Sequence, residues 1–340
     1  MATPSPQPGP ALDPQVLMHM HFSFVPQRVL AAAVELGVFT QMAEGHRTAT
    51  EIAQACEANE RGMRMLLDSL TVLELVAKKD GAYELAPLSA EFLVREKPNY
   101  VGYAIGAKQL WEPWDHLADA VRTGKAPMTL DNQEDAEEYF PYLVRSLHVM
   151  HREPARRLAA ALGAGSTHRG LRVLDIACGS GIWGISVAEA DPEARVTAQD
   201  FPGMLRITRG YTKQHGVDNR YDYLAGDLKQ TDFGKGRYDL AILGHIVHSE
   251  GAYTSRDLFR RVRRALRPGG RIAIMDMIPN DERTGPPFQV FFALNMLVHT
   301  TEGDTFTLAE YRAWLKEAGF EGVETVDIAT QSPAIVATRR

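Results

Sequence analysis

One stretch of twelve residues limits the fold more than any other. Val173-Leu174-Asp175-Ile176 is an apolar run broken by a single acid, and Ala177-Cys178-Gly179-Ser180-Gly181-Ile182-Trp183-Gly184 follows it with three glycines. A helical pattern of apolar residues begins at Ile182. Strand, glycine loop and helix start in this order form a βα unit. Glycine is needed where backbone turns with positive φ or approaches a ligand closely, and the free N–H groups of a helix start favour an anionic group. The same spacing also suits a tight turn with no ligand. The acid at Asp175 adds information, because a carboxylate just before the loop would repel a pyrophosphate and suits a ligand carrying an ammonium or sulfonium charge.

The surroundings repeat the unit. Strand-like runs at 172–176, 195–199, 221–224, 238–243 and 271–277 alternate with helical runs such as 182–190, 204–215 and 255–266. That alternation predicts an α/β doubly wound parallel sheet. A helix at 308–318 precedes two late strands, 322–328 and 333–338, whose short polar connection predicts an antiparallel last strand. Asp200 ends the second run, in Asp200-Phe201-Pro202, and Asp227 follows the third, in Gly226-Asp227-Leu228. An acid at the first place can accept both hydroxyls of a ribose, and one at the second can accept from an adenine amine. Open α/β sheets bind ligands at these carboxyl ends. Taken singly, each acid reads better as a loop cap, but their joint order is hard to reach by chance.

The first half of the chain reads differently. Pro4, Pro6, Pro8, Pro10 and Pro14 mark residues 1–14 as a flexible tail. An amphipathic helix at 27–36 stops at Gly37. Thr48-x-x-Glu51 is a capping box, and Asn59 caps a helix with Met63, Leu66, Leu67, Leu70 and Leu73 on one side. Asp80-Gly81 between two short strand-like runs is a hairpin signal. Helix, helix, hairpin is the order of a winged helix, expected over 15–100. Residues 101–165 read as helical, and the Gly-rich segment 163–170 as a linker into a domain spanning 166–340.

Composition narrows the classes. The chain has 340 residues with 37 Lys+Arg against 43 Asp+Glu, a net charge of −6. An acidic balance disfavours nucleic-acid and anionic-membrane partners. No apolar run is long enough for a transmembrane helix, and the Pro-rich start lacks signal-peptide features. Two distant cysteines, Cys56 and Cys178, exclude a disulfide scaffold and suit a reducing, cytoplasmic setting.

On these residues, 171–277 resembles the class I S-adenosylmethionine-dependent methyltransferases. Nearly the whole chain is similar to the homodimeric small-molecule O-methyltransferases of the plant caffeate-type and bacterial branches. The family pattern Asp-x-Gly-x-Gly-x-Gly reads here Asp175-Ile-Ala177-Cys178-Gly179-Ser180-Gly181. Ala177 replaces the first glycine, a change expected to have little steric consequence. The resemblance implies a Rossmann-like catalytic domain with a terminal antiparallel strand, preceded by an α-rich winged-helix dimerisation domain. It also implies S-adenosyl-L-methionine as cofactor. The cofactor set is then Asp175, Ala177, Gly179, Gly181, Asp200, Phe201, Gly226, Asp227, Leu228 and Gly244. His248, in Gly244-His245-Ile246-Val247-His248-Ser249, falls at the family's general base, with His245 as the other candidate. Asp276 falls where the family has an acid orienting that base. No metal is expected, because the cofactor itself supplies the electrophile.

The chain departs from the pattern at Gly244, where some members have lysine, at His245, and at Ser249. Thr305 stands in place of the family's second acid. For the acceptor the resemblance points to Trp114 and to the helix carrying Phe288, Phe291, Phe292, Asn295, Met296 and His299, which core packing explains equally well. His148 and His151, with Trp111 and Tyr139, lie on the connector helices. Met18, Met20, His21 and Phe22 lie where the family reaches into a partner subunit. The expected activity is methyl transfer to a hydroxyl, phenolic in kind, of a small secondary metabolite by a homodimer. C- or N-methyl transfer, or cofactor binding without O-methyl transfer, is the alternative.

The sequence disfavours two other classes. A DNA-reading winged helix needs a basic face, yet residues 26–97 hold eight Lys/Arg against eleven Asp/Glu. The run Arg256, Arg260, Arg261, Arg263, Arg264, Arg267 suits an anionic surface, but Leu258, Val262 and Leu266 make it an amphipathic helix with a solvated basic side.

Overall fold

The structure, a computed structural model, describes residues 13–340, so all but Asp13 and Pro14 of the expected tail lies outside the described residues. The chain divides into two compact units, one ending at Gly106 and one spanning Ala107–Arg340.

The first unit is built by local signals. Thr48 accepts from Glu51 N and the Glu51 carboxylate accepts from Thr48 N, opening the helix Ala49–Ala55. Asn59 accepts from Gly62 N at the start of Glu60–Val72. Strands β1 (Val76–Lys79) and β2 (Ala82–Leu85) pair antiparallel around Asp80 and Gly81, both at positive φ, as a two-residue hairpin turn requires. Phe39, Ile52, Met63, Leu67, Leu70 and Tyr83 close the core beneath them. Phe39 belongs to a short helix, Val38–Ala43, that starts directly at Gly37. Asp68 takes both Arg64 and Lys78 in ion pairs, which balances the charge of helix and wing internally.

In the second unit, helices Leu117–Thr123, Gln133–Met150 and Arg152–Ala161 lead into a seven-stranded sheet. Its strands are β3 (Arg172–Ile176), β4 (Arg195–Asp200), β5 (Tyr221–Ala225), β6 (Tyr238–Gly244), β7 (Leu266–Met275), β8 (Phe320–Val326) and β9 (Ala334–Arg339). The order is β5-β4-β3-β6-β7-β9-β8. The first five run parallel, and β9 pairs antiparallel to β7 and β8. The central strands are apolar on both faces because helices cover both. The helix Ile182–Ala190 is buried from Ile182 through Ala188. The strand expected to reach 277 ends at Met275, so Asp276 stands just past the sheet edge.

The arginine helix Ala252–Ala265 spends its charge on the fold. Arg256 and Arg260 pair with Glu317, Arg261 donates to Leu228 O, Arg263 donates to Gly319 O, and beyond the helix Arg267 pairs with Asp239. Among the described residues no helix is long and apolar enough to cross a membrane.

Candidate active site

The parallel strands deliver their loops to a single cavity of about 780 Å³, in the range that holds drug-sized ligands. One wall consists of the segments after β3, β4, β5, β6 and β7. The facing wall comes from the helices Gln133–Met150 and Pro287–His299.

The strand-end wall is a backbone cradle. Gly179 and Gly181 both have positive φ, and a Cβ at Gly181 would lie 2.8 Å from Thr208 Cγ2. Ala177 also has positive φ, +49°, so its replacement of a glycine carries the left-handed strain of an L-residue and is not free of consequence as expected. The Asp200 carboxylate lines the cavity and accepts from Gly179 N and Phe201 N, each at 2.8 Å. Burial pushes its pKa up to about 6 against those two N–H bonds. Phe201, Gly226, Asp227, Leu228 and Gly244 also reach the cavity wall. Asp227 Oδ1 accepts from Lys229 N, which fixes its loop. At Gly244 a Cβ would collide with the Trp183 indole, so the space a larger residue would need is already filled.

Two residues expected at the cofactor are not on this wall. Asp175 is fully buried behind the loop, where its Oδ2 accepts from Gly184 N at 3.0 Å and its Oδ1 has no partner. Burial raises its pKa to about 8. Gly181 is the left-handed N-cap of the helix. Both shape the loop from behind. Gln199, which the sequence reading passed over, ties the cradle together. Its side chain donates to Gly226 O at 2.6 Å and accepts from Ala177 N at 3.3 Å. The signal available was a polar side chain within a buried strand.

His248 sits in a short 3-10 turn, Val247–Ser249, on the cavity wall. Its Nδ1 is 2.6 Å from Asp276 Oδ1. Asp276 accepts three further bonds: from His248 N at 3.1 Å, Met277 N at 2.8 Å and Tyr311 OH at 3.0 Å. Burial alone would raise the Asp276 pKa, but the His248 charge and hydrogen bond, with smaller help from His245 and Met277, outweigh it and leave it lowered. Asp276 is therefore an acceptor, the proton lies on His248 Nδ1, and Nε2 is left as the basic nitrogen. Tyr311, on the helix Leu308–Glu317, was not singled out from sequence because it reads as one more core aromatic. Thr305, in the place of the family's second acid, is buried with an unpartnered hydroxyl, and its neighbour Asp304 donates from its backbone N to His248 O.

The facing wall corrects part of the acceptor set. Phe288, Phe292, Asn295, Met296 and His299 line the cavity, whereas Phe291 turns outward and is 62% exposed. Phe292 meets the His248 ring edge-on at 5.0 Å. His299 Nδ1 is bonded to Asn295 O. Trp114, on the 3-10 turn Glu112–His116, does not line the cavity. Nor does His148, which stacks on Tyr211 at 3.7 Å and places Nε2 3.2 Å from that of His215. The helical period explains this, because Leu143, Val144, Leu147 and His151 share the cavity face and position 148 turns away from it.

The comparisons with known proteins agree with this architecture. The O-methyltransferase domain family matches residues 114–321, and the O-methyltransferase dimerisation domain matches 18–95. The tetracenomycin polyketide synthesis 8-O-methyl transferase TcmO of Streptomyces glaucescens is 28% identical, covering 93% of this chain and 94% of that one. Acetylserotonin O-methyltransferase of Mus musculus is 30% identical, covering 91% and 84%. A putative O-methyltransferase of Nostoc punctiforme superposes with a TM-score of 0.87 at 31% identity, covering 97% of this chain and all (100%) of the other. Human N-acetylserotonin methyltransferase, solved with S-adenosylmethionine, gives 0.84 at 25% identity, covering 97% and 99%. The cradle of small residues, with Asp200 and Asp227 at the strand ends, suits the cofactor bound in that relative. The chain belongs to the S-adenosylmethionine-dependent O-methyltransferases that carry an N-terminal dimerisation domain.

Proposed function

We propose that the protein methylates a phenolic hydroxyl of a small secondary metabolite, with His248 as general base and without a metal. The observation that carries this reading is the 2.6 Å bond from His248 Nδ1 to Asp276 at the cavity wall. It commits one ring nitrogen and leaves the other basic. When bound, S-adenosylmethionine supplies a methyl group on a sulfonium centre, so that the C–O bond forms as the C–S bond breaks. A phenol of pKa about 10 is mostly protonated at neutral pH, so the proton must be taken up as the oxygen attacks. His248 Nε2 receives it. Asp276 stabilises the imidazolium, and Tyr311 and Met277 N hold Asp276 in place. In this reading Asp200 accepts the ribose hydroxyls and Asp227 an adenine amine, which their places on the cavity wall support. Phe201, Gly226, Leu228, Gly179 and Ala177 form the surrounding cradle, with Asp175 and Gly181 supporting it from behind. Phe292, Met296, Asn295 and His299 bound the acceptor.

A metal reading has one supporting fact: donor atoms of His245, His248 and Asp276 lie within 4.8 Å of one another. The donor set argues against it. Both Asp276 oxygens already accept two bonds each, and a cation would have to displace them. Turnover is accordingly expected to survive chelation. The relatives named for tetracenomycin, a hydroxynaphthoate and acetylserotonin support an aromatic acceptor. The dimerisation domain at 18–95 supports a homodimer, and so does the helix Gln15–Phe22, which buries none of its residues in its own chain. Residues 15–100 then form the dimerisation domain, 101–165 the connector and 166–340 the catalytic domain. Two free cysteines fit a cytoplasmic location.

Turnover of a phenolic acceptor by His248→Ala, with cofactor affinity read by calorimetry, tests this reading. The expected result is a loss of about 10²–10⁴-fold in kcat with the cofactor still bound. Unchanged kcat at saturating acceptor would refute the base assignment.

A further inference from the structure

His245 stands on the same cavity wall as His248, three residues before it, and the reaction as derived makes no use of it. Its backbone is held at φ +60°, a left-handed conformation unfavourable for a β-substituted residue, and its N–H donates to Met275 O at 2.8 Å. The ring is stacked on His151, with centroids 4.5 Å apart and planes at 17°, and Trp183 lies alongside both. His151 also lines the cavity, at the junction of Gln133–Met150 and Arg152–Ala161. Backbone strain and the stacked His151 ring thus fix one imidazole on the cavity wall. Burial pushes His245 down to about 4 and His151 down to about 3, so both are neutral at physiological pH.

A neutral imidazole has one donor and one acceptor nitrogen. His245 Nδ1 is buried with no hydrogen-bond partner. A buried lone pair without a partner is tolerated more readily than a buried N–H without one, which places the proton on Nε2. His248 has the opposite arrangement, with its proton on Nδ1 toward Asp276 and Nε2 bare. Two rings with centroids 6.5 Å apart therefore offer one hydrogen-bond donor and one acceptor side by side.

We propose that His245 forms a subsite for a second oxygen of the acceptor, a hydrogen-bond-accepting oxygen next to the hydroxyl that is methylated. The acceptor class is then an aromatic hydroxyl flanked by a carbonyl at the ortho or peri position. This deepens the phenol reading above and rests on it. The reach follows from the 6.5 Å between the two ring centroids. Two neighbouring oxygens about 2.7 Å apart span such a gap with one hydrogen bond each. The pairing also serves the chemistry. In a free ortho-hydroxy carbonyl compound the hydroxyl donates to its own carbonyl, which hinders its deprotonation. An N–H from His245 engages the carbonyl and frees the hydroxyl proton for His248.

The test uses ortho- and para-hydroxyaryl ketones on one ring skeleton, assayed by product mass with saturating S-adenosylmethionine. The wild-type protein is expected to favour the ortho isomer by roughly 10- to 100-fold in kcat/KM, the range set by leaving a site's polar group unpaired. His245→Phe keeps a stacked ring without nitrogens, and His245→Gly removes the ring at no backbone cost at φ +60°. Both variants should bring the two isomers to within about twofold of each other. Equal use of the isomers by the wild type, or an ortho preference that survives in both variants, overturns the subsite and leaves the phenol reading standing. Methylation of neither isomer overturns both.

Discussion

The two walls of the cavity are built on different principles. The strand-end wall is backbone, small residues and two carboxylates, Asp200 and Asp227, each accepting from backbone N–H groups. The helical wall is side chains, Phe292, Met296 and Leu147 among them, presented by helices far apart in sequence. A backbone cradle is fixed by the sheet and suits a ligand that never changes. A side-chain wall can be altered residue by residue without disturbing the sheet. On the proposed reading the strand-end wall takes the cofactor and the helical wall the acceptor, so the difference predicts separate mutational effects.

The largest effect short of removing the base is expected for Asp200→Ala. Losing two charge-assisted acceptor positions should weaken cofactor binding by about 100-fold in calorimetry. An unaltered Kd would break the assignment of the strand-end wall. Phe292→Ala should act on the other wall alone, raising the acceptor KM by about tenfold. A change of similar size in cofactor Kd would blur the division.

The pH dependence of cofactor affinity sharpens it further. Asp200 titrates at about 6 in the unliganded protein, and only its ionised form accepts two hydroxyl protons. Affinity at pH 5 should therefore be about tenfold below that at pH 7, and Asp200→Asn should flatten the curve. The sign is opposite for the stability of the empty protein. A raised carboxyl pKa contributes stability that is complete below the unfolded value of about 4. It is lost as pH rises through about 6 for Asp200 and about 8 for Asp175. The smallest effect is expected for Tyr311→Phe, a positioning change. Losing one donor makes Asp276 a stronger partner for the imidazolium. kcat/KM should fall roughly three- to fivefold, with its acid limb displaced to higher pH. A fall with no displacement of the limb would mark Tyr311 as packing only.

Much of the strand-end wall was legible in the sequence because its signals are local. A glycine loop, an acid at the next strand end and an acid in the loop after β5 sit within about 55 residues of chain. Their places follow from the βα alternation. Asp175 marks the limit of that reading. Its position was right for the loop, but sequence spacing does not say which side of the loop a carboxylate takes. The helical wall resisted for a different reason. One turn of helix separates a lining residue from a buried neighbour, so His148 and Phe291 passed for lining residues while His151 received no role. Tyr311 and Gln199 were missed because their contacts with Asp276, Ala177 and Gly226 exist only once the sheet has formed.

The most direct test of the two-wall account is the structure of a ternary complex with S-adenosylhomocysteine and a phenolic acceptor. The account predicts the ribose on Asp200 and the acceptor hydroxyl about 3 Å from His248 Nε2, with its ring against Phe292. A hydroxyl beyond hydrogen-bond reach of His248, or a nucleoside resting on the helical wall, would contradict it.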